Sequence, residues 1–304
     1  MRFWGGALVI LTVGEALMEF RRATADGLLT VPGAWDGPFP SGAPAIFASV
    51  AARLGAPSAL AAAVGQDRFG AALLERLRRD GVATDAVGVI DGRATATAFV
   101  AYDERGDRDF WFSVHDSAAV HIDSGAAARV ARDADWLHVS GTALAFGGAL
   151  ADAVEAAAEI VLRSGGRLSV DPNLRPDAPA AARARTVELA RRASVLFPSD
   201  GELAALGLVE HAVPDHVLVC HTRGGAGVVL SGGGLGAEPV AVAAPAAHEV
   251  DPTGAGDTFA AAFVTAMRDG ADPVGAAGRA CATAARSVGV LGAMEAPITP
   301  NDQR

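Results

Sequence analysis

Short apolar runs alternate with longer amphipathic segments along almost the whole chain. Ala7–Val13 and Ala59–Val64 have the length of buried strands, whereas Ala43–Leu54 and Ala71–Arg79 have the composition and spacing of helices and are each followed closely by glycine. The alternation continues through further strand and helix candidates, namely Trp136–Val139, Ala149–Leu162, Arg167–Val170, Ala180–Arg192, Val195–Phe197 and Val217–Cys220. Alternating strands and helices over this length predict an α/β fold: a doubly wound, mainly parallel sheet with helices on both faces.

Two segments interrupt this alternation. Residues 18–40 contain several Gly and Pro and no helical period, while Thr95–Tyr102 and Asp109–Ser113 flank a polar turn that is typical of a β-hairpin. Together they predict a small β lid, from about residues 18–40 and 94–115, over the carboxyl edge of the sheet, where ligands of such folds bind. The alternative is a pair of surface excursions. With no internal repeat and no long linker, we expect one domain over residues 1–304.

Composition and charge narrow the function classes. The formal net charge of −10 over 304 residues argues against nucleic-acid or anionic-membrane partners, because both favour a basic surface. Two cysteines are too few for a disulfide framework or a zinc site. Ala7–Val13 is too short to span a bilayer and lacks the cleavage site of a signal peptide, so we expect a cytoplasmic protein.

All 25 basic Lys+Arg residues are arginine. A chain without lysine has no Schiff-base lysine, no Walker-type phosphate lysine and no protein-kinase strand lysine. If this protein handles phosphate, it must therefore use backbone N–H groups, Arg, Ser or Thr hydroxyls and a metal ion.

The most informative stretch is Asp251–Phe259, a Gly-rich turn that runs into an Ala-rich helix. Gly254 and Gly256 let the backbone approach a ligand closely, and the first N–H groups of the helix, from Ala255 onward, form an anion site. Asp257 stands in the first turn of that helix. A carboxylate at this place is usually only a cap. Beside an anion site it also suits a general base that accepts an alcohol proton during phosphoryl transfer.

Asp251–Val264 resembles the C-terminal signature of the PfkB, or ribokinase-like, carbohydrate kinases, in which the Asp of this run is the base. Other segments resemble the family's motifs in the same order, namely Val13–Glu19, Ser41–Ala45, Val64–Gly70, Asp171–Pro176, Phe197–Leu203 and Thr222–Gly227. The resemblance implies a ribokinase-like fold, a sugar substrate, ATP and Mg²⁺ as cofactors, possible use of a monovalent cation such as K⁺, and a β lid that often forms a homodimer contact.

The resemblance also implies roles for individual residues. Asp257 is the base, and Gly254, Ala255 and Gly256 form the anion hole. The implied substrate contacts are Glu15, Gly42, Ala43, Arg175 and His115. For Arg175, a surface salt bridge is the alternative. The implied nucleotide contacts are Asn173, Ser199, Thr222, Gly224, Gly227 and Cys281. Glu202 is implied in the outer shell of Mg²⁺, and Asp251 either helps to hold a monovalent cation or only caps the turn.

The departures from the family pattern lie mostly at the sugar end. Ile46 stands where the family usually has Asn, Glu19 where it has Asp, and Ser199 where it has the Asn of the magnesium motif. These changes make ribose and adenosine poor candidates. Sugar-acid relatives hold the substrate carboxylate with Tyr and Arg on the lid hairpin, whereas Phe110–His115 contains no Arg. This favours a neutral ketohexose such as fructose or tagatose, with 2-keto-3-deoxygluconate as the alternative.

Two functions of other classes stay open. A Rossmann dehydrogenase needs a Gly-rich turn directly after the first strand, and residues 14–17 do not form one. A catalytically retired sugar-binding or regulatory protein is suggested by the departures at Ile46, Glu19 and Ser199. The intact run from Gly254 to Asp257 argues against it.

Overall fold

The computed structural model describes residues 9–104, 108–174, 178–208 and 213–303. The strands are β1 (Val9–Val13), β2 (Leu17–Arg22), β3 (Trp35–Ser41), β4 (Ser58–Gly65), β5 (Ala83–Ile90), β6 (Ala96–Tyr102), β7 (Arg108–Ser113), β8 (Ala134–Ser140), β9 (Arg167–Asp171), β10 (Val195–Leu196), β11 (Leu218–Thr222), β12 (Val228–Gly232) and β13 (Val240–Val242). The α-helices are α1 (Ala43–Arg53), α2 (Arg68–Arg79), α3 (Ser124–Ala131), α4 (Gly141–Ala145), α5 (Gly148–Arg163), α6 (Ala180–Arg192), α7 (Glu202–Ala205), α8 (Ala255–Arg268) and α9 (Pro273–Ser287).

The main sheet has nine strands in the order β13-β12-β11-β10-β9-β8-β1-β4-β5. Neighbouring strands from β5 to β11 run parallel, and only β12 and β13 are added antiparallel at one edge. Alternate residues of β1 enter two different cores: Ile10 packs with α1, α2, α8 and α9, whereas Val9 and Leu11 pack with α3, α5 and α6. The predicted α/β sheet with helices on both faces is therefore confirmed.

Most helix bounds agree with signals in the local sequence. The start of α2 differs from its predicted position because the capping residue Asp67 was not recognised. The sequence pattern places the helix at Ala71, yet α2 begins at Arg68 because the Asp67 side chain caps it. The Asp67 carboxylate accepts hydrogen bonds from the backbone N–H of Gly70 at 2.8 Å and of Thr95 at 2.7 Å. The side chain of a capping residue accepts a hydrogen bond from a free backbone N–H group of the first helical turn, so the helix begins directly after the cap. In the described ranges, no helix is both long and apolar enough to cross a membrane.

The two irregular segments pair with each other in a second sheet. Its order is β3-β2-β6-β7, with β2 and β6 parallel and the other pairs antiparallel. An aromatic cluster joins three of these strands: the rings of Phe20 and Phe99 stack at 5.1 Å, and Trp35 meets Phe99 edge-on at 5.5 Å. The predicted small second sheet is therefore confirmed, and it is called the lid below.

Candidate active site

Polar residues from distant parts of the sequence meet at the carboxyl edge of the main sheet. Glu15 follows β1, Thr142 follows β8, Asn173 follows β9, and Thr222 ends β11. These four strands run parallel, so their carboxyl ends lie at one edge of the sheet, which is the edge where folds of this class bind ligands.

A large cavity of about 430 Å³ lies at one part of this edge. Its wall contains Thr222, Gly224, Gly227 and Cys281, four of the residues predicted to bind nucleotide. Alanine, proline and valine side chains make up most of the remaining wall. A cavity of this size, mostly apolar with a few polar groups, is typical of a site for a small-molecule ligand.

A small cavity of about 90 Å³ lies between the sheet edge and the lid. Glu15, Gly42 and Ala43, three of the predicted substrate contacts, line it together with Asp257. Asn173, which the family resemblance assigns to the nucleotide, lines this small cavity instead of the large one. Asn173 therefore lies beside the predicted substrate contacts and not at the wall of the large cavity.

The first turn of α8 separates the two cavities. Ala255 and Gly256 line the large cavity, whereas Gly254 and Asp257 line the small one. Gly254 adopts a φ of +74°, and a Cβ atom there would lie 2.9 Å from Cβ of Ala293, so the position requires glycine for two reasons.

The backbone of this turn is only partly available to an anion. The N–H of Ala255 donates to the carbonyl of Pro252 at 3.2 Å. The N–H groups of Gly256 and Asp257 have no backbone acceptor among the described residues. The N–H groups left available at this turn are therefore those of Gly256 and Asp257, whereas the predicted anion hole consists of Gly254, Ala255 and Gly256.

Asp257 has the environment of a general base. Its side chain is 7% exposed, and its Oδ1 atom has no hydrogen-bond partner in the part of the chain that the structure describes. Burial raises the pKa of Asp257 to about 7, and the positive charge of Arg108 opposes that rise. A carboxyl group with a pKa near the working pH is well suited to take up a proton and release it again.

Other carboxyl groups surround the small cavity. The Glu15 carboxylate accepts a hydrogen bond from the Thr142 hydroxyl at 2.6 Å, and Glu19 accepts one from the Ser41 hydroxyl at 3.2 Å. Burial and the negative charge of nearby Asp251 together raise the pKa of Glu19 to about 7. Carboxyl oxygens are strong hydrogen-bond acceptors, so this cavity suits a ligand that is rich in hydroxyl donors.

Glu202 connects two loops at the sheet edge. Its carboxylate accepts the backbone N–H of Leu174 at 2.6 Å and that of Ser199 at 2.7 Å. Ser199 itself is exposed and lines neither cavity. The described residues contain no group of three His, Cys, Asp or Glu side chains that could hold a metal ion on their own.

Asp251 closes the turn that precedes α8. Its Oδ1 atom accepts hydrogen bonds from the backbone N–H of Thr253 at 3.1 Å and from the Thr253 hydroxyl at 2.8 Å. Its Oδ2 atom accepts the backbone N–H of Gly292 at 3.0 Å. This geometry agrees with the capping role, and a monovalent cation at Asp251 stays a prediction.

The lid contributes a residue that the sequence reasoning missed. Arg108 lines the small cavity together with Phe110 and Phe112, whereas the predicted contact His115 is exposed and lies against the Phe146 ring. Arg108 lies two residues before Phe110–His115, the part of the hairpin on which the expectation of a neutral substrate rests. The period of two along β7 puts residues 108, 110 and 112 on one face, and this signal could have identified Arg108. Arg175 lies outside the described residues.

The chain is similar to known carbohydrate kinases over most of its length. The family model described as pfkB family carbohydrate kinase matches residues 9–300. The fructokinase of Salmonella typhimurium is 32% identical over 276 residues, which cover 85% of this chain and 84% of the relative. The fructokinase of Escherichia coli is 30% identical over 274 residues, which cover 85% of this chain and 84% of the relative.

Solved structures share the fold over nearly the whole chain. A ribokinase II candidate from Escherichia coli, in complex with ATP and Mg²⁺, has a TM-score of 0.83 and 33% identity, with 98% of both chains covered. The fructokinase of Vibrio cholerae, with fructose, ADP and a calcium ion bound, has a TM-score of 0.79 and 25% identity, also with 98% of both chains covered.

Proposed function

The chain belongs to the pfkB family of carbohydrate kinases and is an ATP-dependent sugar kinase, and we propose that its acceptor is a neutral ketohexose such as fructose or tagatose. Two kinds of likeness support this acceptor. The relatives with 30% identity or more include fructokinases, and a similar structure holds fructose and ADP together.

The single observation that carries the proposed phosphoryl transfer is the position of Asp257 on the turn that separates the two cavities. Its carboxyl group lines the small cavity, while Gly256, one residue before it, lines the large one. A base on one side of a short turn and unpaired N–H groups on the other side suit the transfer of a phosphoryl group across that turn.

In the proposed reaction, the nucleotide occupies the large cavity with its phosphates toward the start of α8. The sugar occupies the small cavity, where its hydroxyl groups donate to the carboxyl oxygens of Glu15 and Glu19. The acceptor hydroxyl gives its proton to Asp257, and its oxygen forms a bond to the γ-phosphorus of ATP. The bond between that phosphorus and the β,γ-bridging oxygen breaks, so ADP leaves and the sugar phosphate remains. The N–H groups of Gly256 and Asp257 stabilise the charge on the transferring group.

The residues present fit a magnesium ion that arrives with the nucleotide. Both Glu202 oxygens already accept backbone N–H groups, so Glu202 is suited to an outer-shell contact through water rather than to direct ligation. When bound, Mg²⁺ supplies positive charge to the β- and γ-phosphate oxygens.

A sugar acid such as 2-keto-3-deoxygluconate is the second candidate acceptor. The observation that favours it is Arg108, whose guanidinium group lines the small cavity and matches a carboxylate in charge. The carboxyl groups of Glu15, Glu19 and Asp257 line the same cavity and oppose a second anion. The neutral acceptor therefore remains the first candidate.

A substrate panel tests the proposal. The panel consists of fructose, tagatose, 2-keto-3-deoxygluconate, ribose and nucleosides, each with saturating ATP and Mg²⁺. We expect ADP release, measured with a coupled assay, to be fastest with fructose or tagatose. Parallel assays with Na⁺ or K⁺ test the monovalent-cation requirement. Preference for the sugar acid would replace the neutral acceptor with the second candidate. Sugar binding without ADP release from any compound would indicate a retired enzyme and would contradict the proposed reaction.

A further inference from the structure

The lid carries a positive charge into the small cavity. Arg108 is the first residue of β7, and it lines the cavity with Phe110 on the same face of the strand. Its guanidinium group lies 5.7 Å from the centre of the Phe110 ring, a cation–π contact that helps to fix its direction. Arg108 is the only basic residue among the described residues of this cavity wall.

Among the described residues, the other charged groups that share the cavity with Asp257 or interact with it are acidic. Glu15 and Glu19 share its cavity, and the buried carboxyl of Asp171, at the end of β9, interacts with it electrostatically. Burial and neighbouring negative charge both favour the protonated form of a carboxyl group. A protonated Asp257 cannot accept a proton, so the site needs a source of positive charge.

From this arrangement we infer that Arg108 is a positioning residue that acts through Asp257. While the lid covers the sugar, the charge of Arg108 favours the ionised form of Asp257, which is the form that can accept a proton. The inference rests on the proposed function of Asp257 as base. Arg108 acts on the base by its charge, and arginine keeps that charge over the whole working pH range. Consistently, the charge of Arg108 lowers the pKa of Asp257 against the effect of burial.

This placement has a functional consequence. The base and its cation belong to different sheets, because Asp257 stands on α8 at the main sheet and Arg108 on the lid. A lid displaced from the cavity takes this positive charge with it and leaves Asp257 with only acidic charged neighbours among the described residues of the cavity wall. Proton abstraction is then favoured only while the sugar is covered, which disfavours the transfer of phosphate to water.

The test compares the pH dependence of kcat in wild type, Arg108→Gln and Arg108→Lys, with Arg132→Gln as a control at an exposed arginine after α3. We expect the acid limb of the profile to move upward by about one pH unit in Arg108→Gln. Activity of this variant recovers at alkaline pH, while the melting temperature and the KM for ATP stay unchanged. Arg108→Lys and Arg132→Gln keep the wild-type limb.

Three results would overturn the inference. One is an acid limb that does not move in Arg108→Gln. Another is a uniform loss of kcat at every pH, which would mean that Arg108 acts on the transferring phosphate. A third is a rise in KM confined to sugar acids with an unmoved limb, which would support the second candidate acceptor instead.

A second readout needs no sugar and separates this inference from the proposed function. The carboxyl carbon of Asp257 can be followed by ¹³C NMR during a pH titration, with Asp257→Asn to assign its signal. We expect the midpoint to be higher in Arg108→Gln than in wild type, and equal midpoints would contradict the inference. If wild type phosphorylates no compound of the panel, the proposed function fails while this titration still decides the role of Arg108.

Discussion

The hydroxyl group of Thr142 donates a hydrogen bond of 2.6 Å to the carboxylate of Glu15 at the wall of the small cavity. Both side chains are buried, with Glu15 on the loop after β1 and Thr142 in α4, which directly follows the neighbouring parallel strand β8. The bond therefore joins two adjacent strand ends and fixes the direction of a carboxylate that faces the proposed sugar.

Thr142→Val removes this bond while it nearly preserves the side-chain volume. We expect the KM for the sugar to rise roughly tenfold, because a hydrogen bond to a charged group contributes on the order of 1.5 kcal/mol or more. The KM for ATP should not change, since Thr142 does not line the large cavity. Thr84→Val in β5 is a control away from both cavities. An unchanged sugar KM in steady-state kinetics would show that the Glu15 carboxylate does not need this bond.

Gly254→Ala tests the backbone of the proposed anion hole. The new methyl group would meet the side chains of Ala293 and Ile46 at 2.9 and 3.1 Å, at a φ of +74° that disfavours any Cβ atom. We expect kcat to fall at least tenfold, because the start of α8 must shift. Gly270→Ala, after the other end of α8, has a φ of +92° and open space around it. This control should lower the melting temperature slightly without lowering kcat, and equal kcat losses in both variants would argue against a specific role of Gly254.

Glu19→Gln tests the buried acidic pair that Glu19 forms with Asp251. Burial raises the pKa of Glu19 from its ordinary value of 4.5 to about 7. The folded state therefore binds more protons than the unfolded state between these values, so wild type loses stability as pH rises through this window. Glutamine does not titrate, so Glu19→Gln should become more stable relative to wild type from about pH 4.5 to about pH 7 and then stay constant.

The size of this effect has an upper limit of about 3 kcal/mol, which corresponds to roughly 5–10 °C in melting temperature. Melting curves of both proteins without ligand, at pH 5 and pH 8, measure it. Glu238→Gln, at an exposed loop position, is the matched control and should show no pH-dependent difference. A constant difference between Glu19→Gln and wild type at the two pH values would contradict the raised pKa.

Much of the fold could be predicted because its local signals agree with its packing. α6 has the same bounds in the pattern and in the structure, since Pro179 precedes it and Arg191 and Arg192 close its last turn. β3 was harder to recognise as a strand. It contains Gly37, Pro38 and Pro40, which weaken a strand pattern, and it lies at an edge of the lid sheet where proline is tolerated.

In the candidate site, too, residues with a local sequence signal could be predicted and residues without one could not. Asp257 and Gly254 could be found because turn, glycine and helix start are contiguous in sequence, so one stretch carries the whole chemical signal. Arg108 approaches Asp257 from a position 149 residues earlier. That neighbourhood depends on how the lid sheet sits over the main sheet, and no local pattern encodes it. The hydrogen bonds that Glu202 accepts from two strand-end loops could not be predicted for the same reason.

The central claim is that Asp257 is the base for phosphoryl transfer, and Asp257→Asn tests it most directly. The amide is nearly isosteric and cannot accept the proton, so we predict a normal melting temperature and a kcat lowered roughly 10²–10⁴-fold in the coupled ADP assay with fructose or tagatose. Asp269→Asn, at the exposed C-terminal cap of the same helix, should keep wild-type turnover. Near-wild-type turnover of a folded Asp257→Asn protein would contradict the claim.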